Sequence, residues 1–178
     1  MDLHFRMFSR QRVLQSGFCV SGQTIDDATI RIENMDPNQI ILINIGSMDI
    51  VLGSELIEMI ISMMRLLQTC KLNSITPILT TLAPLGNYRL GNRAAVTNGF
   101  NEFLMKNPFD APVIHLHKAF FNSDGNMDPH CFQTSPRFAS GIKKPLVYWN
   151  RLGRQRVLKT LKEELGSAML KILLNRPV

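Results

Sequence analysis

The stretch that decides the fold reads Ile40-Ile-Leu-Ile-Asn-Ile45, and Gly46 follows it directly. It is almost continuously apolar and rich in β-branched side chains, with Pro37 before it. A short apolar run without alternating polar side chains is typical of a parallel strand that is buried on both faces. Parallel strands need crossover helices to connect them, so the stretch predicts an α/β domain.

Strands and helices alternate on both sides of this stretch. Thr24 and Asp27 form a variant capping box that starts a helix over residues 25–33. The remaining elements are predicted as helices at 6–15, 54–71 (capped by Ser54), 92–106 and 150–174, and as strands at 17–20, 75–82 and 112–117. We therefore predict a three-layer sandwich with a central parallel sheet, flavodoxin-like in architecture. We expect residues 1–178 to form a single domain of a longer protein.

Three of these elements carry details that the structure can test. Pro77 cannot donate a ladder hydrogen bond, so strand pairing is expected to begin after it. His115 and His117 alternate along their strand, and we expect structural or loop-facing roles for them rather than a pair of metal ligands. The last helix is expected to bury a stripe made of Val157, Leu158, Leu161, Leu165, Met169 and Leu173.

Composition excludes several classes of protein. Of the 178 residues, 45% are hydrophobic and 19% are charged, which is typical of a globular domain. No run approaches the roughly 20 apolar residues that a membrane-spanning helix needs, so we expect no membrane contact. No glycine-rich phosphate loop is present, and we expect no cofactor. The three cysteines lack the spacing of a metal site, which favours reduced thiols and a cytoplasmic or nuclear location: Cys19, Cys70 and Cys131.

The positive charge of the chain is concentrated in its last quarter. Residues 1–136 hold 10 Lys/Arg and 12 Asp/Glu, whereas residues 137–178 hold 10 Lys/Arg against only Glu163 and Glu164. Charge concentrated in this way attracts a polyanion or an acidic protein. A solvated basic helix without a partner is the alternative explanation at this point.

Three stretches resemble motifs of the SGNH hydrolases in order and spacing. They are Val20-Ser-Gly-Gln-Thr24, Ile45-Gly-Ser-Met-Asp49 and Tyr148-Trp-Asn-Arg-Leu-Gly153. The resemblance implies the SGNH hydrolase-like fold and covers most of the chain. In such an enzyme a serine attacks the ester, a histidine oriented by an aspartate acts as the base, and N–H donors bind the oxyanion. We expect Asp49 to cap the loop or helix that follows it.

The functional positions of these motifs hold other residues. The resemblance puts Tyr148 in the histidine position and Pro145 in the aspartate position, and neither is a base at neutral pH. Met48 occupies the position of an amide donor, and a thioether cannot donate. Gly22 still offers a backbone N–H. The motif G-D-S is absent, so either Leu3 stands at the nucleophile position or that motif lies outside the sequence. No catalytic residue is therefore expected.

Five stretches carry a second and more specific resemblance. They are Arg10-Gln-Arg-Val-Leu14, Gly22-Gln-Thr-Ile-Asp-Asp27, Asn44-Ile-Gly-Ser47, Thr80-Thr-Leu-Ala-Pro-Leu85 and Trp149-Asn-Arg-Leu-Gly-Arg-Gln-Arg-Val-Leu158. Together they resemble the OSK domain, an SGNH hydrolase-like domain of insect germ-plasm proteins. The resemblance implies a non-catalytic domain in the cytoplasmic germ plasm. It also implies binding of maternal mRNAs, including their 3′ untranslated regions, together with germ-plasm proteins and no small-molecule substrate.

The charge distribution independently favours RNA, because arginines contact phosphates and stack on unpaired bases. A protein-interaction scaffold with a basic face, or an SGNH-type esterase whose first motif lies elsewhere, are the alternative functions. The residues expected to contact RNA are Arg10, Arg12, Lys143, Lys144, Arg151, Arg154 and Arg156.

Overall fold

A computed structural model describes residues 22–85, 92–133, 137–139, 142–144 and 148–174. The predicted helix at 6–15 and strand at 17–20 lie outside the described residues. The elements are, in chain order, α1 (Ile25–Glu33), β1 (Ile40–Ile43), α2 (Ser47–Leu52), α3 (Leu56–Leu72), β2 (Thr76–Thr80), α4 (Arg93–Met105), β3 (Val113–Ile114), two 3-10 helices (Leu116–Phe120 and Pro129–Cys131), β4 (Arg137–Ala139), β5 (Ile142–Lys144) and α5 (Arg151–Leu174).

The central sheet has the strand order β1-β2-β3, and both pairs are parallel. Helices α1, α3 and α4 cover one face, whereas α5 and the two 3-10 helices cover the other. In β2 the two core layers meet, because Leu79 packs into the first layer and Ile78 into the second. The three-layer α/β architecture with a parallel sheet is therefore confirmed.

The pairing of β1 with β2 includes Pro77, so the expectation that it begins after this proline is wrong. The N–H of Thr76 donates to the Gln39 carbonyl on the β1 side at 2.8 Å, and the N–H of Leu79 donates to the Pro112 carbonyl on the β3 side at 2.8 Å. Successive residues of a strand direct their backbone groups to opposite sides. Pro77 therefore faces β3, and it removes no bond between β1 and β2.

The strand β1 is shorter and less buried than predicted. It ends at Ile43, which is buried in the first core layer, whereas Leu42 points to the other face and keeps 45% of its surface exposed. The helix α5 packs against β3 and the 3-10 helix Leu116–Phe120, which leaves Leu42 uncovered among the described residues. Burial on both faces is a property of the second half of β2, from Ile78 to Thr80, rather than of β1.

The strand predicted at 112–117 ends at Ile114. The backbone N–H of His115 donates to a carboxylate oxygen of Glu164 on α5 at 2.8 Å instead of continuing a ladder. The chain then turns into the 3-10 helix that contains His117. The two histidines therefore do not alternate along one strand, and α5 is tied to the end of β3.

Two helix starts show how well capping is predicted from sequence. The capping box of Thr24 and Asp27 at α1 is confirmed. At α3 the N-cap is Glu55, whose side chain and that of Glu58 form a reciprocal box, so the assignment of Ser54 is wrong. A carboxylate one residue further along accepts the same orphan N–H groups that a serine hydroxyl would accept.

The buried stripe of α5 is rotated relative to the prediction. Leu158 and Leu173 are about half exposed, at 49% and 55%, whereas Ala168 and Ile172 are buried. Val157 is buried as predicted. The helix packs through a narrow face, and residues about 100° away from that face reach solvent. None of the described helices, α5 included, is long and apolar enough to cross a membrane.

Two glycines of α5 are expected to respond in opposite ways to alanine. A Cβ at Gly153 would clash with the carbonyl oxygen of Cys131, whereas a Cβ at Gly166 would meet nothing within 4 Å. Gly153→Ala should lower the free energy of unfolding by about 1–3 kcal/mol because the backbone must shift. Gly166→Ala should raise it by about 1 kcal/mol through helix propensity. Urea unfolding measures both, and equal effects would contradict the close packing at Gly153.

Candidate functional site

The carboxyl ends of β1 and β2 and the turn after β3 lie at one edge of the sheet, the edge where α/β proteins bind ligands. Gly46 follows β1 there with a φ of 119° and starts α2. A Cβ at this position would lie 3.0 Å from Cε1 of Phe100. The left-handed backbone and the close ring both require glycine, so this motif position is fixed by packing.

Asp49, at the end of the same motif, caps the start of α1. Its carboxylate oxygens accept from the backbone N–H of Ile25 at 3.2 and 3.3 Å, and the residue is buried. The expectation that Asp49 caps the following loop or helix is therefore wrong, since it caps a helix earlier in the chain. Burial raises the pKa of Asp49, and the hydrogen bond from Ile25 opposes this. Asp49 thus connects the motif at residues 45–49 to the helix that directly follows the motif at residues 20–24.

The last motif is held together by the side chain of Asn150. Its Nδ2 donates to the carbonyls of His130, at 2.5 Å, and Phe132, at 3.1 Å. Its Oδ1 accepts from the backbone N–H of Gly153 at 3.1 Å. The side chain thus caps the start of α5 and attaches it to the chain that passes beneath. The close approach of Gly153 to Cys131 belongs to the same junction.

The three positions where hydrolase groups are expected differ in what the structure describes. Met48 is buried within α2. Tyr148 is partly buried, and its backbone carbonyl accepts from the N–H of Gln133 at 2.8 Å. Pro145 lies outside the described residues. Four motif positions match the hydrolase pattern, and each has a structural role in packing or helix capping: Gly46, Asp49, Asn150 and Gly153.

A polar cluster lies close to the carboxyl-end edge of the sheet, which we call the crevice edge, and it was not predicted from the sequence. Asn101 of α4 accepts from the N–H of Leu82 at 2.6 Å and donates to the Leu82 carbonyl at 3.0 Å, as a neighbouring strand would. Nδ1 of His117 lies 2.8 Å from the same carbonyl and 3.1 Å from Nδ2 of Asn101. The backbone N–H of His117 donates to the hydroxyl of Thr81, and its ring packs at a tilt of 43° against Phe121. The available signal was a polar residue on the apolar face of a predicted helix.

A basic surface begins beside this edge, on the first two turns of α5. Arg151 and Arg154 are exposed there, and the first turn holds no acidic residue. Cations at a helix N-terminus oppose the helix dipole and cost stability, whereas an anion bound there would be stabilised. Further along, Lys162 is exposed, and Lys159 forms a long ion pair of 3.9 Å with Glu163.

Arg156 is partly buried and forms an ion pair, unlike Arg151 and Arg154, which are exposed. Its guanidinium forms an ion pair with Asp128 at 2.5 Å and donates to the Ala119 carbonyl at 3.3 Å. Burial acts to raise the pKa of Asp128, but the N–H of His130 and the charge of Arg156 outweigh it and lower that pKa. Arg156 therefore fastens the loop before the last motif to α5.

Lys143 and Lys144 lie on β5, which pairs with β4 in an antiparallel hairpin. A bridge between Phe132 and Trp149 joins the two chain segments that lead into and out of residues 134–147. Lys144 lies four residues before Tyr148 and seven before Arg151, so its backbone is at most about 25 Å from the start of α5. Arg10 and Arg12 lie outside the described residues.

Comparison with known proteins identifies the family. The family model of the OSK domain matches residues 1–167. The chain belongs to the OSK domain family. This OSK domain is 37% identical over 168 residues to the maternal effect protein oskar of Drosophila virilis and 38% identical over 169 residues to that of Drosophila melanogaster. Each comparison covers 93% of this chain, which spans only 28% of the length of either relative.

Solved structures agree with this assignment and extend it to the fold. The crystal structure of the OSK domain of Drosophila Oskar has a TM-score of 0.75 and 35% identity, and it covers 81% of this chain and 71% of that one. A putative acylhydrolase from Bacteroides fragilis has a TM-score of 0.60 and 16% identity over 82% and 71% of the two chains. A lipolytic protein of the G-D-S-L family from Veillonella parvula has a TM-score of 0.60 and 17% identity, and the match covers 80% of this chain and 74% of that one. Both expected resemblances, to the OSK domain and to the SGNH hydrolase-like fold, are confirmed.

The partly buried ring of His117 predicts a pH dependence of stability. Burial lowers the pKa of His117 from its ordinary 6.5, so below pH 6.5 the unfolded chain binds this proton more readily than the folded chain. The stability that depends on the neutral ring of His117 is therefore lost as the pH falls from 6.5 through the pKa of the folded state. His117→Asn keeps a donor for the Leu82 carbonyl and does not titrate. Urea unfolding at pH 7 and about pH 5 should show a smaller loss of stability for this variant, and an equal loss would refute the role of His117.

Proposed function

We propose that this OSK domain binds single-stranded or looped regions of messenger RNA through the basic surface at the start of α5, without hydrolytic activity. The observation that carries the proposal is the exposure of Arg151 and Arg154 on a helix start that has no compensating acid. Exposed arginines in that position favour phosphate binding, and guanidinium planes also stack on unpaired bases.

The helical periodicity of α5 places further exposed cations on the same side of the helix as Arg151 and Arg154. At 100° per residue, the exposed cations Arg151, Arg154, Lys159 and Lys162 fall within about 140° of one another around the helix axis. Leu158 lies among them and is about half exposed, which offers an apolar contact for a base. The hairpin that carries Lys143 and Lys144 emerges at the same end of α5. Arg156 fixes the surface to the loop beneath it, and its contribution to RNA binding is indirect in this proposal.

The chemistry at the hydrolase positions supports a non-catalytic role. Met48 cannot donate a hydrogen bond to an oxyanion, and Tyr148 has a phenol whose ordinary pKa of about 10 makes it a poor base. Pro145 has no acid or base function. The relatives are named maternal effect proteins, which supports a role in the egg. We propose that the domain works in the cytoplasmic germ plasm with mRNA and germ-plasm proteins as partners.

RNA binding should depend on the two exposed arginines. Arg151→Glu/Arg154→Glu should weaken binding of labelled single-stranded RNA strongly and reduce the slope of log K against log salt by about 0.7 for each phosphate that the protein no longer neutralises. Arg65→Glu/Lys106→Glu changes the net charge equally on α3 and at the C-cap of α4, and is the matched control. Fluorescence anisotropy across a salt series measures both. Equal reductions of affinity in the two variants would contradict the proposal, because they would show only a non-specific effect of net charge.

The same two substitutions should not destabilise the domain. Glutamates in the first turns of α5 complement the helix dipole, so the free energy of unfolding should stay constant or rise by about 0.3–1 kcal/mol for each site. Thermal unfolding measures this. A large fall in stability would mean that the arginines hold the fold and that the weaker RNA binding is secondary.

Ester hydrolysis distinguishes the non-catalytic hypothesis from an SGNH-type esterase. The wild-type domain should hydrolyse p-nitrophenyl acetate no faster than a heat-denatured sample, because Met48 and Tyr148 provide neither an oxyanion donor nor a base. Spectrophotometric detection of p-nitrophenolate checks this. Turnover that disappears on unfolding would establish an active esterase and overturn this part of the proposal.

A further inference from the structure

A cavity of about 670 Å³ lies at the opposite edge of the sheet from the crevice, where β2 begins and the chain enters β3. Its walls come from α3, the turn before β3 and the last turns of α5, and they are mainly apolar. Its volume lies within the range of ligand sites in proteins. The residues that matter to its chemistry are Met64, Leu67, Phe109, Ile172, Lys71 and Lys171.

Two prolines explain why the sheet is open at this point. Between β2 and β3 the ladder contains the bond from the N–H of Leu79 to the carbonyl of Pro112. The next bond toward the cavity would run from residue 112 to the carbonyl of Pro77, and Pro112 has no N–H to donate. Pro77 also lacks an N–H to donate in the other direction. The strands therefore separate where both prolines line the cavity, and the Pro77 carbonyl receives no ladder bond from Pro112.

The charge at the rim of the cavity is positive. Lys171 is paired with Asp110 at 3.2 Å across the opening. Lys71 is exposed, and among the described residues no carboxylate lies within ion-pair distance of it. The rim thus carries one ammonium group in excess over an apolar floor, next to a backbone carbonyl that can accept a hydrogen bond.

We propose that this cavity binds a short acidic segment of a protein partner. A large apolar side chain of that segment fills the floor, a carboxylate pairs with Lys71, and a backbone N–H donates to the Pro77 carbonyl. A peptide provides all three groups, and the lining, which is predominantly apolar and has no arginine among the described residues, favours a peptide over RNA. The proposal does not rest on RNA binding, because the basic surface begins at the other end of α5.

The test is selection from a phage library of random 12-residue peptides on the wild-type domain. Enriched peptides should share an acidic residue beside a large apolar one. A synthetic copy of the most enriched peptide should bind Lys71→Glu about tenfold more weakly, the reduction expected for one charge-assisted hydrogen bond. Pro112→Ala restores an N–H that can reach the Pro77 carbonyl and should also weaken binding. Lys162→Glu, an equal charge change elsewhere, should leave peptide affinity unchanged.

The outcomes are separable from those for RNA. Arg151→Glu/Arg154→Glu should keep peptide affinity, and Lys71→Glu should keep RNA affinity. The absence of an acidic and apolar consensus would overturn the proposal, as would equal peptide affinity for wild type and Lys71→Glu. Displacement of the peptide by single-stranded RNA at moderate salt would instead assign the cavity to RNA. Thermal unfolding of Lys71→Glu and Pro112→Ala confirms that each variant is folded.

Discussion

The amide side chain of Asn150 is the junction on which the second half of this OSK domain depends. It binds two carbonyls of the chain at 130–132 and one N–H of α5, so a single side chain sets where the last helix begins and what lies under it. Each such bond contributes about 1 kcal/mol net, and a buried carbonyl without a partner costs more. Because α5 covers Ile78 and Ile114 of the sheet, the second core layer depends on this capped start.

The motifs of the fold combine two separable kinds of residue. Gly46, Asp49, Asn150 and Gly153 shape turns, cap helices and permit close backbone approach, and none of these roles requires a reaction. A chain can therefore replace the reactive positions without losing the scaffold. The similarity in fold to lipolytic enzymes at 16–17% identity is consistent with this separation.

Much of the fold could be predicted from local patterns, and the errors have physical causes. Apolar runs located β1 and β2, and the Thr24 box located α1, because these signals lie within a few residues. The short β3 depends on Glu164, 49 residues away, and the reach of Asp49 back to Ile25 spans 24 residues. The positions of Arg151 and Arg154 on an exposed helix start followed from charge and motif. The ion pair of Arg156 with Asp128 could not be predicted, because the loop that carries Asp128 has no periodic sequence pattern.

The continuity of α5 has a mechanical consequence. The helix runs without interruption from the crevice edge of the sheet to the cavity edge, and Arg154 and Lys171 are about 26 Å apart along its axis at 1.5 Å per residue. A nucleic acid held at one end and a protein segment held at the other would be kept at a constant separation by a stiff rod. With both proposed partners bound, such a rod would make this domain a bivalent cross-linker, in which occupancy at each end raises the local concentration of the other partner.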